Sequence, residues 1–305
     1  MLLVVEWRNI LGYLGVLFHI SGIMMFLPII LCFYYGEIDY IPSYFLPAIL
    51  VFILGTILRD RYSSSDMSTG EALVASALSW MLVPLIAVPP FIAYFSTLDY
   101  YGNNFGLIFL DAYFETTSGY TATGLTIFKD VTVAPKSLLF WRSMTQWIGG
   151  VGVIVLFIAV LVNPGAITRK LYVAEGRSDR IVPSIKETAR IIWWIYLFYT
   201  ATAAILFYLA GMPLFDAVNH SMTCLATGGF SVRNGSIGDY NYWLIELLVI
   251  PFMIIGGINF VVHKKFLDGN ISALLGDIEL KYMIFMITIF TTAIVLDLYH
   301  TFPVS

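Results

Sequence analysis

Apolar runs of about twenty residues recur along this chain, separated by short polar turns. A helix needs roughly 20 apolar residues to cross the hydrocarbon of a bilayer. Runs of about that length cover residues 10–34, 41–58, 71–95, 137–162, 191–209, 242–262 and 280–299. Each predicts a spanning helix. The first is long and shows no small-residue cleavage site, so it reads as a membrane helix rather than a signal peptide. Two further apolar segments, 105–118 and 212–225, are too short to span and read as interfacial or re-entrant. Each runs directly into a stretch rich in Thr and Gly: TSGYTATGLTIF (117–128) and CLATGGFSVRNG (224–235). Irregular backbone at membrane depth survives only where protein buries it or water lines it. The order helix, short re-entrant helix, polar loop, helix therefore occurs twice. The predicted fold is an all-α polytopic membrane protein of parallel helix–pore helix–loop–helix repeats, preceded by an N-terminal helix pair.

The two copies align in sequence. With Asp111-Ala112 placed over Asp216-Ala217, Ser118 falls on Thr223, Gly124 on Gly229, Leu125 on Phe230 and Thr126 on Ser231. Further on, Ile148-Gly149-Gly150 matches Ile255-Gly256-Gly257, with two residues inserted between the blocks. Both copies run in the same direction, so an axis along the membrane normal relates them. Equivalent loops around such an axis meet at its centre.

Composition agrees with a lipid solvent: 59% of the 305 residues are hydrophobic and only 12% charged. The net charge of −4 gives no sign of nucleic-acid binding. Cys32 and Cys224 lie in apolar surroundings and read as small buried hydrophobes rather than a disulfide or metal pair. With the N-terminus in the cytoplasm, 12 of the 16 Lys and Arg fall on inner segments. Both Thr/Gly loops then enter from outside.

These loops suit a dehydrated cation, which needs oxygen ligands in place of its hydration shell. Backbone carbonyls of an extended loop supply them, with Thr hydroxyls in support. Glycine reaches the required backbone angles without steric cost. The C-terminal end of each short helix, partially negative, favours positive charge ahead of it. Thr121, Ala122, Thr123 and Gly124 in the first copy, with Ala226, Thr227, Gly228 and Gly229 in the second, are the candidate ion-coordinating strands. The bland alternative, ordinary turns at an interface, is disfavoured because two loops occupy equivalent positions behind equivalent short helices.

FETTSGYTATGLT followed by LLFWRSMTQWIGGVGVIVL, and later ATGGFS followed by IGGINF, resemble the Trk/Ktr/HKT potassium transporters, most closely their TrkH-type branch. The resemblance covers nearly the whole chain and includes the N-terminal helix pair. It implies potassium uptake across the cell membrane, with no cofactor and no enzymatic step. It puts the family's filter glycine on Gly124 and Gly229. It further implies a homodimer and a cytosolic nucleotide-binding subunit of the TrkA type as partners. Family members carry four pore units in one chain. Here residues 1–62 read as the helix pair, 63–180 and 181–268 as two units, and 269–305 as the first helix of a third. The chain is thus read as the N-terminal part of a longer protein or one half of a split transporter. A sodium-coupled or less selective cation transporter, and a non-conducting membrane scaffold, are the alternatives. A membrane enzyme is disfavoured, since no nucleophile–base set or His/Asp/Glu cluster stands at membrane depth.

Three acidic residues sit in or near the short helices. Asp111 and Asp216 could make a negative outer mouth, but a carboxylate also suits the positive start of a helix, and capping is the favoured reading. Glu115 lies within its helix and either faces the pore or pairs with Arg142. His220, one repeat from Glu115, is expected to pack rather than relay protons. The basic stretch 163–190 is either a solvated loop at the lipid surface or, by the resemblance, a docking site for the regulatory subunit.

Overall fold

The computed structural model describes residues 6–62, 68–102, 104–161 and 185–301. Helix α1 (Trp7–Met24) continues after a short break into α2 (Leu27–Tyr35), whose Pro28 sits in the first turn, where its missing N–H costs nothing. Together they make one apolar span of 29 residues. Gly36, in the left-handed conformation, ends it. Helix α3 (Ile41–Arg61) returns along α1. Helix α4 (Thr69–Ile86) opens on a capping box between Ser68 and Glu71, and α5 (Pro89–Phe95) prolongs it at a 42° bend. The short helix α6 (Phe105–Tyr120) follows, then α7 (Lys136–Leu161). The second unit has the same order: α8 (Ile185–Leu209), short α9 (Leu214–Leu225) and α10 (Trp243–Gly257). Two small helices, α11 (Phe260–Leu267) and α12 (Ile271–Leu275), lead to α13 (Ile278–Thr301).

Among the described residues the chain is all-helical, without strands. Among these residues four helices are long and apolar enough to cross a bilayer, or six if each bent pair forms one span. These fall on six of the seven predicted runs, and α7 occupies the other. At about 1.5 Å per residue, α6 and α9 are too short to cross, as their sequences indicated.

One expected span is broken. The run 242–262 does not continue as a single helix, because α10 stops at Gly257 and α11 leaves at 106°. Ile258 is extended, and the Asn259 side chain accepts the Val261 N–H, so that Asn259 caps α11 in the middle of an apolar run.

The N-terminal pair does more than precede the first unit. Its Glu37 carboxylate accepts the backbone N–H groups of Lys136 and Ser137, at 2.6 and 2.9 Å, and so caps α7 from a distant part of the chain. Tyr44 of α3 meets the fully buried Trp141 of α7 edge to face, with ring centroids 6.4 Å apart. At the other end of the pair, Glu71 accepts the N–H of Glu6, the amide of Asn9 and the N–H of Ser68.

The Ser68 N–H above all, then those of Glu6 and Asn9, hold the Glu71 carboxyl below its ordinary range. A lowered folded-state value stabilises the fold fully above the unfolded value, and the gain is lost as pH falls through the folded one. Glu71→Gln should therefore lower the thermal midpoint in detergent at neutral pH, by a stability on the order of 1 kcal/mol. The difference from the wild type should close as the pH is taken below the carboxylate range. Equal midpoints at neutral pH would remove Glu71 as the tie between α1 and α4.

Candidate functional site

Helices α6 and α9 end in the same backbone path. The N–H groups of Thr121, Ala122 and Thr123 return to the carbonyls of Thr117, Gly119 and Ser118. In the second unit those of Ala226, Thr227 and Gly228 return to Met222, Cys224 and Thr223. These three bonds correspond at the spacing of 105 residues that aligns the sequences, and the first loop adds a long fourth one from the Gly124 N–H to the Ser118 carbonyl at 3.5 Å. Backbone angles repeat as well: φ is 51° at Ala122 and 77° at Gly124, against 54° at Thr227 and 80° at Gly229. A positive φ is uncommon for alanine and strained for a β-branched threonine. Such outliers persist where the surroundings over-determine them, and they cluster at functional sites.

What over-determines them is close packing from behind. A Cβ on Gly149 of α7 would lie 2.0 Å from the Tyr120 carbonyl oxygen, and one on Gly256 of α10 would lie 2.3 Å from that of Leu225. The matching Ile-Gly-Gly triplets thus let each long helix touch the end of its own short helix. The two loops also meet each other: a Cβ on Gly124 would lie 1.9 Å from the Gly228 carbonyl oxygen. Residues 121–124 and 226–229 therefore form one cluster. A cavity of about 230 Å³ adjoins both exits, lined by Ala122, Ala226, Thr227, Tyr196, Gly256 and Phe260 among others.

Beside this cluster lies a buried ion pair. Arg142 Nε of α7 donates to Glu115 of α6 at 2.6 Å, and both side chains are shielded from solvent. Glu115 also accepts the Thr126 hydroxyl and the Ile127 N–H, both from its own loop. Arg142 donates a second bond to the Ser231 carbonyl of the other unit's loop and stands 3.7 Å above the Phe230 ring. Of the two readings of Glu115, the structure bears out the pair with Arg142.

The reading of the two aspartates as carboxylates at the starts of the short helices holds for Asp216 and fails for Asp111. Asn104 caps α6, while Asp111 lies nearly two turns further on and accepts the Tyr101 hydroxyl. Asp216 is in the first turn of α9, a favourable place for negative charge, yet no side chain caps that helix. Asp216 instead accepts from Arg233 and Tyr240. His220 is buried and packs edge-on against Tyr240, with centroids 5.8 Å apart. Cys32 and Cys224 are both buried thiols without a disulfide. Most of the basic stretch 163–190 lies outside the described residues.

Two side chains matter more here than their sequence context signalled. Gln146, one turn beyond Arg142 and fully buried, accepts the Phe230 N–H. Asn234 bridges the outer loops by accepting the Val131 N–H and donating to Asp130. Gln146 falls in the QWIGG motif, but nothing local indicates a partner 84 residues away.

Residues 94–300 match the TrkH family model, described as a cation transport protein. An uncharacterized cation transporter of Methanocaldococcus jannaschii is 36% identical over 94% of this chain and 58% of its own length. The Trk system potassium uptake protein TrkH of Vibrio parahaemolyticus is 30% identical over 87% of this chain and 54% of its own. The crystal structure of the potassium transporter TrkH from Vibrio parahaemolyticus has a TM-score of 0.80 at 28% identity, covering 98% of this chain and 61% of that one. The chain thus spans a little over half the length of these relatives.

Removing one member of a buried ion pair strands the other, at a cost of about 3–5 kcal/mol. Arg142→Met should therefore sharply reduce folded protein in detergent, as read by size-exclusion yield and thermal midpoint. Adding Glu115→Gln to that variant should recover part of the loss. If the double variant loses the sum of the two single losses, the pair is not the coupled unit described here.

Proposed function

This chain belongs to the TrkH family of cation transport proteins, and from that premise we propose that its two Thr/Gly loops are filter strands for potassium uptake across the cell membrane. The observation that carries this reading is the recurrence of three backbone bonds and two positive-φ positions in the two loop exits, and their meeting at Gly124 and Gly228. Two strands that share one strained path can present carbonyls to a common centre, as a dehydrated cation requires. Each short helix aims its partially negative end toward that centre.

Two strands supply half of a fourfold ring. A complete ring needs two more strands of this kind, and this chain covers 58% and 61% of two of its relatives' lengths. Residues 1–62 form the helix pair, 63–180 and 181–268 the two units, and α13, none of whose side chains is buried, opens a third. The N-terminus is cytoplasmic, so both loops enter from outside. The complete transporter is a homodimer regulated by a TrkA-type nucleotide-binding subunit, on the strength of the sequence resemblance.

The backbone makes the two filter glycines unequal. Any side chain at Gly124 meets both a positive φ and the Gly228 carbonyl, whereas Gly229 has a positive φ but open space around its missing Cβ. In the complete protein, Gly124→Ser should cut rubidium uptake at least about tenfold and narrow the preference over sodium. Gly229→Ser should act in the same direction but less severely. The measurement is rubidium uptake into membrane vesicles in competition with sodium. Full uptake and unchanged selectivity in both variants would show that the loops are not the filter.

A further inference from the structure

Helix α7 belongs to the first unit, yet two of its side chains are spent on the second unit's loop. Arg142 Nη1 donates to the Ser231 carbonyl at 2.8 Å, and Gln146 Oε1 accepts the Phe230 N–H at 3.0 Å. The residues are one helical turn apart and grip neighbouring backbone groups of one strand. Gln146 also fills the space that a side chain at Gly228 would need: a Cβ there would lie 2.3 Å from Gln146 Cδ and 2.4 Å from Oε1. The far side of the same amide faces the first loop, with Nε2 3.6 Å from where a Gly124 Cβ would sit. Nε2 is buried and has no hydrogen-bond partner among the described residues. The amide orientation is fixed, because the Phe230 N–H requires the oxygen.

We propose that Gln146 is a specificity-determining positioning residue, which sets the second loop against the first by holding the Phe230 N–H and filling the space beside Gly228. The inference rests on the reading of the loops as filter strands. The role of Gln146 is to act through the backbone of residues 228–230 rather than to coordinate the ion. Without its oxygen, the buried Phe230 N–H loses its partner, and the strand is freer to shift where it abuts Gly124. A ring of carbonyls that can relax discriminates less well between ions of different size.

The repeat offers no duplicate of this device. The spacing that pairs the Ile-Gly-Gly triplets places Val249 opposite Arg142 and Met253 opposite Gln146. Neither can accept an amide proton through a side-chain oxygen. The grip therefore runs from the first unit to the second and is not repeated by α10.

The test uses the complete transporter with Gln146→Leu, Gln146→Asn and Gln146→Glu, and Gly124→Ser as a control. Each is read as rubidium uptake against a sodium titration in vesicles, normalised to the amount of folded protein. Glutamate keeps an acceptor oxygen at the same reach, asparagine is one methylene short, and leucine has none. The expected result is a potassium-over-sodium ratio near wild type for Glu, and a ratio lowered about three- to tenfold for Asn and Leu. A general packing defect would instead lower uptake of both ions and leave the ratio unchanged. If Gly124→Ser shifts the ratio while Asn and Leu do not, the proposal is overturned and the filter reading stands. If no variant shifts it, both are overturned. Should Gln146→Leu fail to reach the membrane, Asn against Glu decides: equal ratios for those two overturn the proposal.

Discussion

The Glu115–Arg142 pair holds together the parts of this structure that carry its chemistry. A buried ion pair is favourable only when good geometry and further hydrogen bonds offset the loss of water around both charges. Here the carboxylate has three donors, namely the guanidinium, the Thr126 hydroxyl and the Ile127 N–H. The guanidinium has the carboxylate, the Ser231 carbonyl and the face of Phe230. The pair therefore joins a short helix, its own loop, a long helix and the loop of the next unit. Glu37 fixes the start of that long helix from the N-terminal pair, so the position of Arg142 depends on residues about a hundred positions away.

The two units share a backbone path but not a polar support. Where the first unit has Glu115, the second has His220; where α7 has Arg142 and Gln146, α10 has Val249 and Met253. The second unit supports its outer end differently, through Asp216 with Arg233 and Tyr240. Arg233 is half exposed, so that pair has access to solvent screening that Glu115 and Arg142 lack. The common constraint is the glycine behind each short helix. The strained turns at Ala122 and Thr227 recur because those contacts recur, whatever side chains surround them.

Much of this was legible in the sequence because the signals were periodic or repeated. Apolar length separated the long helices from the short ones, and the Thr/Gly loops declared themselves twice. Three features escaped for separate physical reasons. The break at Ile258 lies within a run whose apolar character reads as continuous, and its signal was a single capping residue, Asn259. The role of Asp111 depended on its partner, because it stands inside α6 and accepts the Tyr101 hydroxyl, a contact that the apolar pattern does not mark. Gln146 serves a partner in another unit, and a contact across 84 residues leaves no trace in local pattern.

The difference between the two loop sequences also has a physical cause. In register, Thr123 of the first loop stands opposite Gly228 of the second. Gly228 is not among the glycines with positive φ, so backbone freedom does not explain it. Its missing side chain is the space that the Gln146 amide occupies. Thr123 meets no such intruder, and its hydroxyl is instead 2.7 Å from that of Thr121. The first loop can therefore carry a hydroxyl at Thr123 where the second has Gly228, because Gln146 of the helix that follows the first loop presses against the second.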